Sequence, residues 1–245
     1  MRSVDPRHGP ASVTIDAFPE SVSRYGPPYT IVAVDVIRST TMAVTAAADG
    51  WRCLPVPTLE QALGRAKEFP DSLLAGELGG QVPYEFDMDN SPVELLARSD
   101  RHRPLVLLST SGTRVICGAT AGQEVHVACL RNHQAQVGAL TDVGGPVAVI
   151  GAGARGEFRD EDALCCAWIA RDLVQAGFVA ADANTSELIE RWDGVAIEAI
   201  TTSGSAEFLR STDRQADLDF VLDHVNDIPG VVRLVGAELI YEVHS

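Results

Sequence analysis

The sequence predicts an α/β fold in which a mixed sheet is layered with helices. Two observations carry that prediction. Short apolar, β-branched runs recur near residues 12–17, 30–35, 51–56, 72–76, 104–109, 124–129 and 146–150. Helix-like stretches lie between most of them, near 40–49, 58–68, 91–99, 112–120 and 131–141. Strands that alternate with helices argue for a largely parallel or mixed sheet.

The elements follow in order. The run Thr30–Val34 is apolar and β-branched and reads as a buried strand. It ends on Asp35, and Arg38 and three hydroxyl residues, Ser39, Thr40 and Thr41, precede an alanine-rich helix. Ligands in α/β proteins sit at the carboxyl ends of strands, and free N–H groups at a helix start attract anions. Arg38 can grip a phosphate or carboxylate, and Asp35 can hold a divalent metal or act as nucleophile or base. A plain helix cap beside a solvated arginine explains the segment equally well.

The next acid after a strand is Glu77, in Ala75-Gly76-Glu77-Leu78-Gly79-Gly80, amid glycines that let a ligand approach the backbone. Asn90 or Ser91 caps a helix that begins at Pro92. Asp87-x-Asp89 mimics an aspartyl-nucleophile motif, but no apolar strand precedes it. Leu105–Leu108 then runs into Ser109, Thr110, Ser111, Gly112, Thr113 and Arg114, an anion cradle of hydroxyls, backbone N–H groups and a cation. It lacks the lysine and glycine spacing of a P-loop.

Gly151, Gly153 and Gly156 behind the strand near 146–150 fit G-x-G-x-x-G. A dinucleotide fold would start its helix inside that motif, whereas here the helix starts at about Asp160. A nicotinamide-dependent oxidoreductase is therefore the weaker alternative. Asp160, Glu161 and Asp162 open a helix to about Ala176, where they favour the helix dipole or hold Mg²⁺. Cys165 and Arg171 have thiol-phosphatase spacing, but the residues between them are helix core. Residues 184–225 read as mostly helical, and Val231–Val235 and Leu239–Val243 close the chain as strands parted by Gly236. Residues 1–245 read as a single unit, with Gly144-Gly145-Pro146 as either a subdivision or a turn.

Composition narrows the function. Of 245 residues, 46% are hydrophobic and the formal net charge is −15, with no Lys/Arg-rich run. Nucleic acid is not an expected partner, because phosphate contacts need a basic face. A small anionic substrate needs local positive charge. Five cysteines without zinc spacing suit a reducing cytoplasm. Residues 1–8 lack the apolar core of a signal peptide, and no apolar run is long enough for a membrane span. The six histidines, from His8 to His244, form no spaced pair.

Asp35–Thr41, Gly76–Gly80, Phe86–Pro92 and Ser109–Arg114 come in that order. Ala128-Cys129-Leu130-Arg131-Asn132 and Glu161–Cys165 follow. Together the six resemble the 2-phosphosulfolactate phosphatase family over roughly residues 30–235. The resemblance implies an unusual α/β fold and a Mg²⁺-dependent phosphomonoesterase. It implies a small acidic substrate with phosphate next to carboxylate and sulfonate. Asp35, Glu77, Glu161 and Asp162 are then the expected Mg²⁺ ligands, with Asp35, Arg38, Glu77 and Asp162 catalytic. Ser39, Thr40, Thr41, Asn90, Ser91, Ser109–Arg114 and Asn132 would support the substrate. A homodimer is also compatible with the resemblance. This chain departs from the family pattern at Leu78 (usually Arg), Ser111 (usually Asn), Asp89 (usually Gly) and Ser39 (usually Ala). Losing an arginine and gaining an acid lowers the local positive charge. An anion-binding protein without catalysis is the alternative on the same fold.

Overall fold

The computed structural model describes residues 10–243; the segment 1–8 and His244 lie outside the described residues. The chain runs β1 (Ser12–Ala17), β2 (Thr30–Val34), α1 (Ser39–Ala48), β3 (Cys53–Val56), α2 (Leu59–Glu68), β4 (Leu73–Gly76) and α3 (Pro92–Leu96). It continues through β5 (Leu105–Leu108), α4 (Gly112–Cys117), β6 (Val125–Ala128), α5 (His133–Val143), β7 (Pro146–Gly151), α6 (Asp160–Gln175) and β8 (Val179–Ala180). It ends with α7 (Ala183–Trp192), α8 (Gly204–Ser211), α9 (Gln215–Asp223), β9 (Gly230–Val235) and β10 (Glu238–Val243). Single 3₁₀ turns occupy Pro19–Arg24 and Ile197–Thr202.

The ten strands form one sheet in the order β4-β5-β3-β10-β9-β6-β2-β7-β1-β8. Two parallel blocks flank the β9–β10 hairpin, which is antiparallel to both. The pairing narrows to one residue pair on each side of the hairpin, Leu239 with Cys53 and His126 with Arg233. The mixed sheet of the sequence reading is therefore two βα blocks joined by the last hairpin.

β2 and β7 are buried along their whole length. Both faces of such a strand are covered, which explains its near-continuous apolar sequence. The period of two still divides the side chains. Ile31, Ala33, Ala148 and Ile150 join a core with α1, while Val32, Val34, Val147 and Val149 join a second core with α6. In α1, nine of ten residues are buried, so the helix is a core element between the two strand blocks. By contrast α2 buries only Ala62, and the Thr58 side chain caps it by accepting from the Gln61 N–H.

Several boundaries differ from the sequence reading. α3 has five residues, and α4 stops at Cys117 with Gly118 as its cap. The short β8, which pairs with β1, and the turn at Pro19–Arg24 carry no periodic pattern long enough to read. Gly144, at φ +71°, ends α5 and leads into β7, and strands on either side of 144–146 belong to the same sheet. Among the described residues no helix is long and apolar enough to cross a membrane.

Candidate active site

The loops after β2, β4, β5 and β7 and the start of α8 surround a cavity of about 190 Å³. Asp35 lies at its base. The Ser39 N–H, at the start of α1, donates to Asp35 Oδ1 at 3.3 Å, and Gly112, at the start of α4, donates its N–H to the same carboxylate. Gly112 is required there: a Cβ would stand 2.4 Å from Asp35 Oδ2. The helix starts that the sequence offered as a phosphate cradle therefore hold the protein's own carboxylate. Burial, then the charges of Glu77 and Glu161, push the Asp35 carboxyl up to about 7.

The other three acids divide into two kinds. Glu77 Oε1 accepts from the Thr110 N–H at 2.7 Å, and its Oε2 accepts from the Gly80 N–H and the Thr110 hydroxyl. Asp162 Oδ1 accepts from the Val36 N–H at 2.8 Å and Oδ2 from the Gly153 N–H at 3.1 Å. Both carboxylates staple neighbouring loops together. Glu161 is buried, and its Oε2 has no hydrogen-bond partner. Burial raises the Glu161 carboxyl, offset in part by the hydroxyls of Ser205 and Ser203 and by Arg159. Asp162 is raised as well, by burial and by the charges of Asp35 and Glu161.

The expected four-carboxylate metal set is thus not assembled as a set. Among the described residues no three His, Cys, Asp or Glu side chains converge on a point that could hold a metal ion. The physical reason is that Glu77 and Asp162 have turned their oxygens to backbone N–H groups.

Arg38 is also occupied. Its buried guanidinium gives Nη2 to Asp89 at 2.7 Å and Nη1 to Asp217 of α9. Asp89 also accepts from Arg214 Nε at 2.6 Å, and Asp217 accepts from the Ser91 hydroxyl at 2.6 Å. Ser91 caps α3 by accepting from the Glu94 N–H, as its position before Pro92 predicts. Arg38 borders the cavity, but as one member of a network of two arginines and two acids.

The remaining expected residues separate in the same way. Thr110, Ser111 and Asn90 line the cavity, and Asn90 Oδ1 is buried without a partner. Ser39 and Ser109 meet through their hydroxyls at 3.0 Å, and Thr113 closes the turn by donating to the Ser109 carbonyl. Thr40 and Thr41 donate to the carbonyls of Asp35 and Val36 and shape the turn from behind. Arg114 points away and pairs with Glu20 at the surface. Asn132 holds the end of β6 through the Cys129 N–H and the Val127 carbonyl, and does not line the cavity.

Sequence reasoning missed Arg155, Arg159, Gly204, Ser205 and Phe208, all on the cavity wall. Two arginines in the glycine-rich loop before an acidic helix start were the available sign. The α8 contribution left none. Among the described residues five buried side-chain polar atoms lack a hydrogen-bond partner. Three of them, on Asn90, Arg159 and Glu161, belong to residues of this one wall. Such atoms are rare in a native fold, so their concentration marks a site shaped for a polar ligand.

A family model described as 2-phosphosulpholactate phosphatase matches residues 16–234. The chain belongs to the 2-phosphosulfolactate phosphatase family. It is similar to proteins named "Probable 2-phosphosulfolactate phosphatase". That of Clostridium acetobutylicum is 32% identical over 57% of this chain and 60% of the relative. That of Pseudothermotoga lettingae is 34% identical over 63% and 66%. That of Deinococcus radiodurans is 32% identical over 84% and 86%. The chain thus spans a little under two thirds of the first two relatives and most of the third. Within the 2-phosphosulfolactate phosphatase family pattern, the departure at Asp89 has a visible consequence here, a second carboxylate on Arg38. Leu78 does not line the cavity, whereas Ser111 does.

Proposed function

We propose that this protein hydrolyses a small acidic phosphomonoester of the 2-phosphosulfolactate type to an alcohol and phosphate, with Mg²⁺ as cofactor. The observation that carries the reading is the pairing of Asp35 and Glu161 on one cavity, both carboxyls raised by burial, with Glu161 Oε2 unpartnered. This donor set fits a hard divalent cation: oxygen ligands, excess negative charge and an orphaned buried acceptor. Asp35 and Glu161 would hold Mg²⁺, which commonly keeps several waters and needs only one or two carboxylates. When bound, it polarises a phosphoryl oxygen and makes a bound water more acidic.

The chain's own groups do the rest. Glu77 and Asp162 fix the loops that carry Thr110, Gly153 and Val36, so the cavity walls keep their spacing. Ser111, at the mouth of α4, supplies a hydroxyl donor for a phosphoryl oxygen, whose charge grows in the transition state. The Asp35 carboxyl, raised to about 7 in the metal-free protein, would be held ionised by the cation it binds. We take the enzyme to be a cytoplasmic homodimer, in keeping with its five free cysteines and with the family resemblance.

The test is phosphate release from a panel of small phosphomonoesters, including 2-phosphosulfolactate and phospholactate, with Mg²⁺ and with EDTA. Metal-dependent release that vanishes in Asp35→Asn is expected. Release that survives EDTA would overturn the cofactor, and wild-type rates in Asp35→Asn would overturn the site. A second reading, an anion-binding protein without turnover, draws on the neutralisation of Arg38 by Asp89 and Asp217. Thermal stabilisation by phosphate with no release from any ester would favour it.

A further inference from the structure

We infer that Arg159 is the specificity-determining residue that binds the non-reacting acid group, a carboxylate or sulfonate, of a three-carbon phosphate ester. The inference rests on the hydrolase reading for which ester is turned over, but not for the anion site itself.

The cavity has acids at Asp35, Glu77, Glu161 and Asp162, so an anionic substrate needs an uncommitted cation beside them. Arg38 does not provide one. Arg38 and Arg214 are matched by Asp89 and Asp217, and their formal charges cancel within the network. Arg159 stands differently. Its Nε is buried and has no hydrogen-bond partner. Its ion pair among the described residues runs from Nη1 to Glu157 at 2.9 Å, and that carboxylate is 70% exposed. An exposed pair of this kind contributes little and exchanges readily. Arg159 lines the cavity, and its guanidinium, once released from Glu157, offers parallel N–H donors that suit the paired oxygens of a carboxylate or sulfonate.

The surroundings favour this use. Gly204, the first residue of α8, leaves the space that the guanidinium fills, since a Cβ there would stand 2.7 Å from Arg159 Nη1. Ser205 borders the same cavity and can donate to an oxygen of the ester, and the orphaned Asn90 Oδ1 can accept from the hydroxyl that hydrolysis frees. Phe208, whose ring lies against Gly80, adds an apolar surface to the lining. The site is small, and the acid would therefore be close to the phosphate.

Two measurements test the inference. The first compares KM and kcat for 2-phosphosulfolactate with those for glycerol 2-phosphate, which has no second acid. Arg159→Gln should raise KM for the acid-bearing ester at least about tenfold more than it raises KM for glycerol 2-phosphate, while any change in kcat, through Glu161, is the same for both esters. Arg159→Lys should recover part of the loss. Gly204→Ala, which keeps the charge but displaces the guanidinium, should move KM in the same direction by less. Equal losses on both esters would assign Arg159 a purely structural role as counter-ion to Glu161 and overturn the inference. The second measurement is calorimetric binding of sulfolactate, which needs no turnover. Weaker binding in Arg159→Gln supports the inference even if the wild-type protein hydrolyses no ester, in which case only the hydrolase reading fails. Equal affinity in both proteins, or no binding to the wild type, overturns it.

Discussion

Replacing Asp35 by asparagine should stabilise the metal-free protein at alkaline pH while removing its turnover. The Asp35 carboxyl is raised from 3.8 to about 7, chiefly by burial and by the charge of Glu77. A shift of one unit corresponds to about 1.4 kcal/mol, so ionised Asp35 costs about 4 kcal/mol in the folded state relative to the unfolded one. The sign follows from linkage. At pH values below 3.8 the carboxyl is protonated in both states and nothing is lost. As pH rises, the unfolded chain releases its proton first, and stability falls until the folded group also ionises near 7. Asparagine removes the charge and keeps an oxygen to accept the Ser39 N–H. Its amide cannot accept from Gly112 as well, which returns about 1 kcal/mol of the gain. The variant should match the wild type within about 1 kcal/mol at pH 4.5 and exceed it by about 2–3 kcal/mol at pH 8. Urea unfolding in EDTA across that range reads the difference, and Mg²⁺ should then stabilise the wild type more than the variant. A pH-independent difference, or a less stable variant at pH 8, would refute the reasoning.

Three further outcomes follow from the geometry. Gly112→Ala would place a Cβ 2.4 Å from Asp35 Oδ2 and 2.6 Å from Ser39 Cβ, so the carboxylate must move. Phosphate release should fall on the order of 100-fold, as a displacement of about 1 Å at a reacting group can cause, while the far-UV spectrum stays that of the wild type. Asp217→Ala leaves a buried Arg38 with one carboxylate and the Ser91 hydroxyl without its acceptor; denaturant unfolding should show a loss of about 3–5 kcal/mol. Gly76→Ala meets the Leu108 carbonyl oxygen at 2.0 Å, backbone against backbone, at φ +148°. That variant should fail to accumulate as folded protein, and resistance to limited proteolysis equal to the wild type would contradict the packing.

What the sequence revealed and what it hid have the same physical origin. β2, β7 and α6 were legible because a buried strand or a long helix repeats its apolar positions over enough residues to show a period. α3 and α4 were read too long, because five or six residues define no period and their ends depend on caps. Asp35, Glu77, Glu161 and Asp162 were each visible as acids at strand ends or a helix start. Their partners were not, since Val36 and Asp162 are far apart in the chain and meet only when β2 and α6 pack. The same distance hid Asp217, whose helix closes over Arg38, and turned an expected anion clamp into a neutralised network. Arg159 lay in a loop with no period and became visible only through its unpartnered Nε.

The acids of the cavity are held in place by one another's loops, and this explains why Asp35, Glu161 and Asp162 stay charged only at a cost. Glu77 ties the turn after β4 to Thr110, and Asp162 ties the turn after β2 to Gly153. Both accept from backbone N–H groups and so tie the loops together, although burial and the neighbouring acids still raise the Asp162 carboxyl. The closure they enforce brings Asp35 and Glu161 under burial with few donors between them, and both carboxyls rise. A fold selected for stability alone would place an amide or an apolar group at one of these positions. Asp35 and Glu161 instead line one cavity with Arg159, and a cation near the carboxylates with an anion on the guanidinium would relieve their repulsion. Under the proposed function, a phosphate ester that arrives with Mg²⁺ and carries a second acid would supply both, and the repulsion that destabilises the empty protein would favour that occupancy.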